Sequence, residues 1–528
     1  MNFNKKLAVA VSGAVLLMAG LMAGQVALAD SATDIVDALV MKGVLTEEEG
    51  RLITKGHTSK TSVTPVVKEK DGAFTLESAN GNNSISLTGR MHLDYRHNNM
   101  DLYTSDFNDR DTATGADNIE LRRARLGVKG KFAKDFNYEI VGNLPGTATV
   151  DVAFVDYAKY SEVKLRLGRF KQPFNLEELT SSNNIDFMER SYVNQLAPAK
   201  KNGAMLFGEP KTGFTYALSA YSMNDTEQDS KNDKMNFAGR STLNFGELFG
   251  NKTMVAHIGL SGFNAEYNVT PTTSSGSAGT TTNASILAFR TPGRGLSNIF
   301  AAQIGGSAAS SGQSFNSNST AQVKSSAVGL EGAFAVNNIK VQGEYARAGV
   351  KGSSGGTGTT GLTGDTLDLD ANVYYGEVMY LATGETYAGA YKGGAFGSIK
   401  PTNNFDLDKN QWGAWEFGLR AEKYTVDEIQ HTPGTGGATE GVGSTRIRGA
   451  TSCESGAGST TSTALMNGCK ASSTTYTAGI KWILNPNAMV KLNYSRTNFG
   501  YEWEHFDLDD KQRLNKEDIL MMRTQFAF

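Results

Sequence analysis

Cysteine, proline and histidine are scarce in this sequence, and a net charge is almost absent. Among 528 residues there are 2 cysteines, 10 prolines and 6 histidines, and the formal net charge is −3. So small a charge gives no reason to expect a nucleic acid or an acidic partner. Two cysteines with no further Cys or His nearby do not make a metal site. No metal and no nucleic acid are therefore predicted.

Motifs that carry catalysis are also missing. The sequence has no His-Glu-x-x-His pair and no glycine-rich phosphate loop ending in Gly-Lys-Ser or Gly-Lys-Thr. Sets of Ser, His and Asp can be assembled from any chain of this length, but nothing here fixes such a set in space. We therefore predict no enzyme activity and no cofactor.

A long apolar run occurs only at the N-terminus. Lys5 and Lys6 precede the apolar stretch 7–22, and Ala27-Leu28-Ala29 offers the small residues of a cleavage site. This pattern predicts a signal peptide over 1–29, with an uncleaved anchor helix as the alternative. No later segment approaches the roughly 20 continuous apolar residues of a membrane helix. The exported protein is then either soluble or crosses a membrane as strands.

A short helical pattern follows the predicted signal. It runs from Asp34 to Lys55, is broken at Gly43, and resumes after the capping box Thr46-Glu47-Glu48-Glu49. With the polar stretch that follows, residues 30–70 are predicted to form a periplasmic helical hairpin and a linker. Oligomerisation, contact with the cell wall and a passive appendage all remain open as roles for the hairpin.

Beyond residue 71, apolar and polar residues alternate with a period of two. The first such run, near 85–96, is longer than a typical soluble strand. Further runs recur along the chain, the segment 283–290 being the weakest of them. They lie near 119–131, 136–143, 150–160, 163–169, 204–209, 213–222, 235–246, 253–267, 283–290, 325–335, 338–348, 371–383, 411–427, 474–484, 488–498 and 519–528.

The connections between these runs alternate in length. Some are hairpin-sized, such as Asn485-Pro486-Asn487, and others, such as 384–410 and 428–473, are long and rich in Gly, Ser and Thr. Outer-membrane barrels have short turns at one end and long loops at the other. The last run ends on Phe528, and the terminal strand of many outer-membrane barrels also ends on a phenylalanine. We therefore predict an all-β protein in which residues 71–528 form a transmembrane antiparallel β-barrel of about 16 strands.

In a wide barrel the apolar face of each strand meets lipid and the polar face lines a wet lumen. The polar faces predicted here are more basic than acidic. They carry Arg90, Arg96, Arg123, Arg125, Lys129, Lys131, Lys164, Arg166, Lys340, Arg420, Lys481, Lys491 and Arg523, against Asp94, Glu344, Glu416 and Glu422. Fixed positive charge on a narrow passage favours anions. Local pairing of these charges across strands is the alternative, and the sequence leaves both open.

Alternation stops at Gly168–Arg190. Pro173 removes a ladder donor, so a strand ending near Arg169 must give way to a loop rich in charges and hydroxyls.

Elsewhere, Cys453 and Cys469 flank a polar loop and are predicted to form a disulfide, as expected of an exported protein. Trp415 and Trp482 fall on apolar faces, where interfacial aromatic residues belong.

In this context several short motifs resemble the phosphate-selective porin O and P family of the Gram-negative outer membrane. They are Gly89-Arg90, Arg122-Arg123-Ala124, Gly168-Arg169-Phe170, Leu176-Glu177, Glu189-Arg190, Thr383-Gly384-Glu385, Ile399-Lys400-Pro401, Gly413-Ala414-Trp415-Glu416 and Gly479-Ile480-Lys481-Trp482. The resemblance implies a sixteen-stranded barrel, usually trimeric, whose third loop folds inward to constrict the pore. That loop is the stretch at Gly168–Arg190.

The resemblance also implies a set of pore residues, namely Arg90, Arg122, Arg123, Asp151, Ser181, Ser182 and Arg190. The polar strand faces add Arg125 and Arg166, and the loop adds Lys171 and the acids Glu177 and Glu178. We expect the basic and hydroxyl members to attract anions, and Asp151, Glu177 and Glu178 to be the acids at the constriction. For Arg290 and Arg294, a basic ladder toward the mouth and a loop role both remain open.

Glu178 departs from the family pattern. Phosphate-selective members carry a lysine directly after the Leu-Glu of the loop, where this sequence has Glu178. Two like charges about 5 Å apart at an effective dielectric constant of about 20 repel by several kcal/mol. We therefore predict an outer-membrane porin for passive diffusion of small hydrophilic solutes with anion preference. It would be a homotrimer surrounded by lipid and lipopolysaccharide. The alternatives are a phosphate- or polyphosphate-selective channel and, from another class, a barrel enzyme or surface-binding protein.

Overall fold

The computed structural model describes most of the chain after the predicted signal peptide. The described residues are 29–61, 64–70, 73–98, 117–223, 234–269, 284–294, 299–304, 320–355, 366–432, 446–448, 469–506 and 511–528. Residues 1–28 and Cys453 lie outside this set, so the signal peptide and the Cys453–Cys469 disulfide stay predictions. The chain divides into two compact units, one from Met1–Arg90, Arg123–Lys159 and Phe528, the other from Met91–Arg122 and Tyr160–Ala527.

The first unit begins with the predicted helical hairpin, formed by α1 (Ala29–Met41) and α2 (Glu47–Thr61). The capping box forms reciprocally: the Glu49 N–H donates to Thr46 Oγ1 at 3.2 Å, and the Thr46 N–H donates to Glu49 Oε2 at 2.9 Å. Among the described residues, no helix is long and apolar enough to cross a membrane.

The predicted linker contains more regular structure than expected. Helix α2 continues to Thr61, and β1 (Val66–Lys70) pairs antiparallel with β2 (Ala73–Glu77). The prediction of a linker rested on the polar residues near Pro65. The adjacent Val66 and Val67 are β-branched residues, which favour an extended backbone.

Most of the remaining strands are long and follow the period-two segments. The remaining strands are β3 (Ser84–Asn98), β4 (Asn118–Phe132), β5 (Phe136–Asn143), β6 (Thr149–Tyr157), β7 (Lys164–Lys171), β8 (Lys200–Lys211), β9 (Phe214–Tyr221), β10 (Asn236–Asn244), β11 (Met254–Val269), β12 (Ala284–Phe289), β13 (Phe300–Ile304), β14 (Thr320–Val336), β15 (Ile339–Gly355), β16 (Thr366–Leu381), β17 (Tyr391–Lys392), β18 (Ala395–Phe396), β19 (Ala414–Thr432), β20 (Arg446–Arg448), β21 (Ala471–Asn485), β22 (Ala488–Phe506) and β23 (Lys511–Ala527). Strands β12, β13, β17, β18 and β20 are short. Short helices α3 (Leu176–Leu179), α4 (Tyr192–Gln195) and α5 (Phe245–Leu248) lie between strands.

One sheet of 18 described strands contains β1, β2 and the sixteen barrel strands. In the first unit β4 pairs with β5 and β5 with β6, all antiparallel. The terminal Phe528 exchanges both backbone hydrogen bonds with Gly89 of β3, at 2.9 and 3.1 Å, so the end of the chain joins the first long strand. The phenylalanine ring covers Gly89, where a Cβ would lie 2.4 Å from Cζ.

In the second unit, each strand of the large sheet from β7 onward pairs antiparallel with the next strand of that sheet along the chain. The short strands β12, β13, β17, β18 and β20 lie outside this sheet. The prediction of a sixteen-stranded antiparallel β-barrel is confirmed. The weak segment at 283–290 is a strand, β12, but it belongs to a separate sheet with β13 and β20.

Strand β15 shows how the two faces differ. Lys340, Gln342 and Glu344 are buried, at 2%, 5% and 4% exposed, whereas Val341 and Tyr345 are 50% and 41% exposed. Apolar residues therefore face outward and charged residues inward. This arrangement suits a barrel surrounded by lipid and is the reverse of a soluble sheet.

One long connection lies at a different end from the one expected. Residues 382–413 join β16 to β19 and pair with the tight turns, since the Tyr387 N–H donates to Asn337 O and the Phe405 N–H donates to Leu484 O. Its length predicted that 384–410 would lie with the long loops of the opposite end. The length was misleading because the segment packs against the barrel: Tyr387 is buried and donates to Glu416 of β19, and Tyr391 of the hairpin β17–β18 contacts His257 of β11.

Candidate functional site: a loop held across the inner face of the barrel

The segment between β7 and β8 leaves the sheet as the sequence predicts. Pro173 interrupts the ladder and Asn175 adopts a positive φ of 53°. The Asn175 side chain then accepts from the Glu178 N–H at 2.7 Å and caps helix α3. We call residues 172–199 the inner loop.

Two carboxylates from distant strands hold the backbone of the inner loop. Glu344 on β15 accepts the Leu176 N–H at 3.0 Å and the Glu177 N–H at 2.8 Å. Glu422 on β19 accepts the Tyr192 N–H at 2.7 Å. Each carboxylate therefore satisfies amide donors at the start of a short helix, where such donors lack helical partners.

Lysines anchor the middle of the inner loop. Asp186 lies 2.5 Å from the Lys340 ammonium on β15 and 3.7 Å from that of Lys481 on β21. Lys491 on β22 donates to the Ile185 carbonyl at 2.6 Å. Because these partners come from inward-facing positions of separate strands, the inner loop lies across the inside of the barrel wall.

Charges within the inner loop compensate one another. Lys171 donates to the carbonyls of Glu178 and Thr180, and Arg190 donates to the Glu177 and Thr180 carbonyls at 2.9 and 2.8 Å. Burial acts to raise the pKa of Glu178, but Lys171, Arg190 and the Asn194 amide together lower it below its ordinary value. Glu178 is therefore a buried, ionised residue among cations, and its local partners weaken the repulsion expected of a free carboxylate.

Substituting Glu178 with lysine is expected to loosen the inner loop. The change places a third cation beside Lys171 and Arg190 in a buried site, where like charges repel strongly. We expect faster chymotrypsin cleavage of the loop, at residues that both variants share, and noisier channel currents in E178K than in the uncharged control E178Q. A quiet, protease-resistant E178K with only a shifted reversal potential would show instead that the Glu178 carboxylate faces open water.

Acid is expected to weaken the same contact. The folded-state pKa of Glu178 lies below the ordinary value of 4.5, so its stabilising contribution is present above that pH and is lost as the pH falls through the folded-state value. Pepsin is active at acid pH, so the increase in its cleavage of the loop between moderate and low pH should be smaller in E178Q than in the natural protein.

Arginines surround Glu189 at the end of the inner loop. Its Oε1 accepts from Arg523 at 2.9 Å, Arg96 at 3.0 Å and Arg122 at 3.2 Å. Arg523 and Arg96 also bind the buried carboxylate of Asp94, and Arg96 binds Glu120.

Two further arginines lie between β12 and β13. Burial lowers the pKa of Arg290 and lowers that of Arg294 to about 10; Glu189 opposes this effect, and the charges of Arg122 and Arg96 add to it. The Arg290 backbone is fixed by two hydrogen bonds to the Gln195 amide, each 3.0 Å. We call Arg96, Arg122, Arg290, Arg294 and Arg523 the arginine cluster.

The other predicted site residues are distributed as follows. In the first unit Arg125 forms an ion pair with Asp151 at 2.9 Å and bonds Asn143, Arg123 is buried, and Arg90 is half-buried. In the second unit Arg166 lies 5.1 Å from the Phe207 ring centre. Ser181 and buried Ser182 belong to the turn of the inner loop.

Glu177 is structural rather than free. Its carboxylate accepts from the Ser191 N–H and hydroxyl at 2.8 and 2.6 Å and lies 3.3 Å from Arg420. The anchoring role of Glu344 and Glu422 was missed, although strand parity had placed both on the polar face. Among the described residues, no group of three or more His, Cys, Asp or Glu side chains is arranged to hold a metal ion.

A sixteen-stranded antiparallel barrel with apolar residues outside, charged residues inside and a loop across its inner face is an outer-membrane porin. A sequence model of the family described as Phosphate-selective porin O and P matches residues 85–528. The chain therefore belongs to that family, whose members are channels and not enzymes, and its place is the bacterial outer membrane.

Individual relatives are distant. The chain is 26% identical over 396 residues to Porin O of Pseudomonas aeruginosa, covering 72% of this chain and 81% of that protein. Among solved structures it is similar to OmpT of Vibrio cholerae, with a TM-score of 0.44 and 10% identity over 84% of this chain and 98% of that one. It is also similar to an anion-selective porin from Comamonas acidovorans, with a TM-score of 0.43 and 12% identity over 84% of this chain and 100% of that one.

Proposed function

We propose that this porin passes small hydrophilic solutes by diffusion and prefers anions. The observation that carries the proposal is the arginine cluster. Arg96, Arg122 and Arg523 bind Asp94, Glu120 and Glu189, and Arg290 and Arg294 lie near enough to Glu189 for its charge to act on their pKa. The excess of fixed positive charge lowers the electrostatic barrier for anions and raises it for cations. Arg90, Arg123, Arg125 and Arg166 belong to the proposed pore lining as well, Arg125 as the partner of Asp151.

Much of the remaining charge is paired. Lys340, Lys481, Arg190 and Lys171 are bound to carboxylates or carbonyls of the inner loop, and Lys481 is also bound to Glu416 of β19. Such residues hold the loop and contribute little net field. A weak to moderate anion preference follows, in contrast to the strong selectivity of a pore lined by unpaired cations.

The assembly and processing belong to the same proposal. The signal peptide over 1–29 is removed, residues 30–70 form the periplasmic hairpin and linker, and 71–528 form the barrel. The barrel is a homotrimer in contact with lipid and lipopolysaccharide, with Cys453 and Cys469 joined as a disulfide that shortens an outer loop.

Reversal potentials in planar bilayers test the anion preference. In a KCl gradient the zero-current potential of the purified protein should have the sign of chloride selectivity, because the arginine cluster carries excess positive charge. Cation selectivity would contradict the proposal. Block of the chloride current by submillimolar phosphate would favour the phosphate- or polyphosphate-selective alternative.

A further inference from the structure

The carboxylate of Glu189 occupies the position that a bound oxyanion would take. Three guanidiniums, from Arg96, Arg122 and Arg523, converge on its Oε1 within 3.2 Å. Guanidinium groups are the protein groups best matched to carboxylate and phosphate oxygens. The protein has therefore built an oxyanion site and filled it with one of its own side chains.

The three arginines differ in their exposure and in the number of partners they have besides Glu189. Arg523 has no exposed side-chain area and is fixed by two hydrogen bonds to Asp94, at 2.6 and 2.7 Å. Arg96 is also bound to Asp94 and Glu120. Arg122 is the most exposed of the three, at 21% of its side chain, and its described ion pair is with Glu189.

The backbone of Glu189 is held independently of its side chain. The Glu189 carbonyl accepts two hydrogen bonds from Arg420, both 3.2 Å, and the preceding Met188 carbonyl accepts from Arg523. The Met188 N–H donates to Asn493 at 3.2 Å. A change confined to the Glu189 carboxylate therefore leaves the path of the loop fixed by its neighbours.

We propose that Glu189 is a built-in counter-anion that competes with permeant oxyanions for the arginines. The inference rests on the proposed anion preference and names the residue that limits it. The ligand class is a small oxyanion, phosphate or carboxylate, which can accept from several guanidiniums at once. Neutralising Glu189 exposes Arg122 beside Arg290 and Arg294 and converts a weak site into a binding site.

The test is E189Q in planar bilayers, with inorganic phosphate as the probe. We expect a larger anion preference than in the natural protein and block of the chloride current by phosphate with an affinity about tenfold higher or more, the effect of gaining one or two charge-assisted hydrogen bonds. The matched control is E120Q, which removes the same charge from a carboxylate bound to Arg96. E120Q should raise the anion preference without creating comparable phosphate block.

The outcomes are separable. Cation selectivity of the natural protein would overturn the proposed function itself. An anion-selective natural protein whose E189Q variant gains neither selectivity nor phosphate block would overturn only the role of Glu189. Equal phosphate block in E189Q and E120Q would also overturn it, because net charge rather than position would then set the affinity.

A second variant keeps the test available if E189Q does not assemble. R122Q removes the most exposed partner and leaves the Glu189 carboxylate less compensated, so the reversal potential should move toward cations. R347Q removes the same charge from an arginine whose ion pair is with Asp370, and it should have a smaller effect. Equal shifts in R122Q and R347Q would overturn the proposal.

Discussion

Replacing both Glu344 and Glu422 with alanine is expected to release the inner loop and raise the single-channel conductance severalfold. The two carboxylates accept three backbone N–H groups of the loop, from Leu176, Glu177 and Tyr192. Each buried donor left without an acceptor costs about 1–3 kcal/mol. A loop that has lost these acceptors no longer narrows the lumen, and a wider wet passage conducts more ions.

Two measurements distinguish release of the loop from a change in charge. Single-channel conductance reports the open cross-section, and limited trypsin digestion reports access to Lys171 and Arg190, whose side chains are bound to loop carbonyls. Y375F is the matched control, because it removes a 2.7 Å hydrogen bond to Glu344 but leaves the loop contacts in place. Unchanged conductance together with protease resistance in the double variant would mean that other contacts suffice to hold the loop.

Strand periodicity was predictable from the sequence because it is a local property. Alternation along β15 placed Lys340 and Glu344 on one face and Val341 and Tyr345 on the other without knowledge of any partner. The prediction for residues 384–410 rested on length and was wrong, because length does not show at which end of the barrel a connection lies or what it packs against. The segment 283–290 has strand propensity, and only its pairing with β13 shows that it lies outside the barrel sheet.

The partners of the inner loop were not predictable in the same way. Glu344 and Leu176 are 168 positions apart in the sequence, and Arg523 and Glu189 are 334 positions apart. Local sequence patterns therefore do not predict either contact. From the sequence, Glu178 was expected at the constriction with Asp151 and Glu177, as a negative charge that repels phosphate. It had no means of showing that Lys171, Arg190 and Asn194 gather around it.

Substituting Arg523 with methionine is expected to destabilise the barrel by about 3–5 kcal/mol, the usual cost of breaking a buried ion pair. Arg523 on β23 binds Asp94 on β3 through two hydrogen bonds and Glu189 through a third, and the side chains of both Arg523 and Asp94 are fully buried. The variant leaves two carboxylates in a buried site without their strongest partner, and burial of an uncompensated charge is costly.

Equilibrium unfolding in lipid vesicles, or the temperature at which the folded form is lost on a gel, measures this loss of stability. The matched control is R496M on the neighbouring β22, whose guanidinium binds Asp518 with comparable geometry, at 2.6 and 2.9 Å, but is 47% exposed. An exposed ion pair contributes about 0–1 kcal/mol, so R496M should be nearly as stable as the natural protein. Equal stability of R523M and R496M would show that the Arg523–Asp94 contact does not hold β3 and β23 together. Recovery of stability in R523M/D94L would identify the uncompensated Asp94 charge as the cause of the loss.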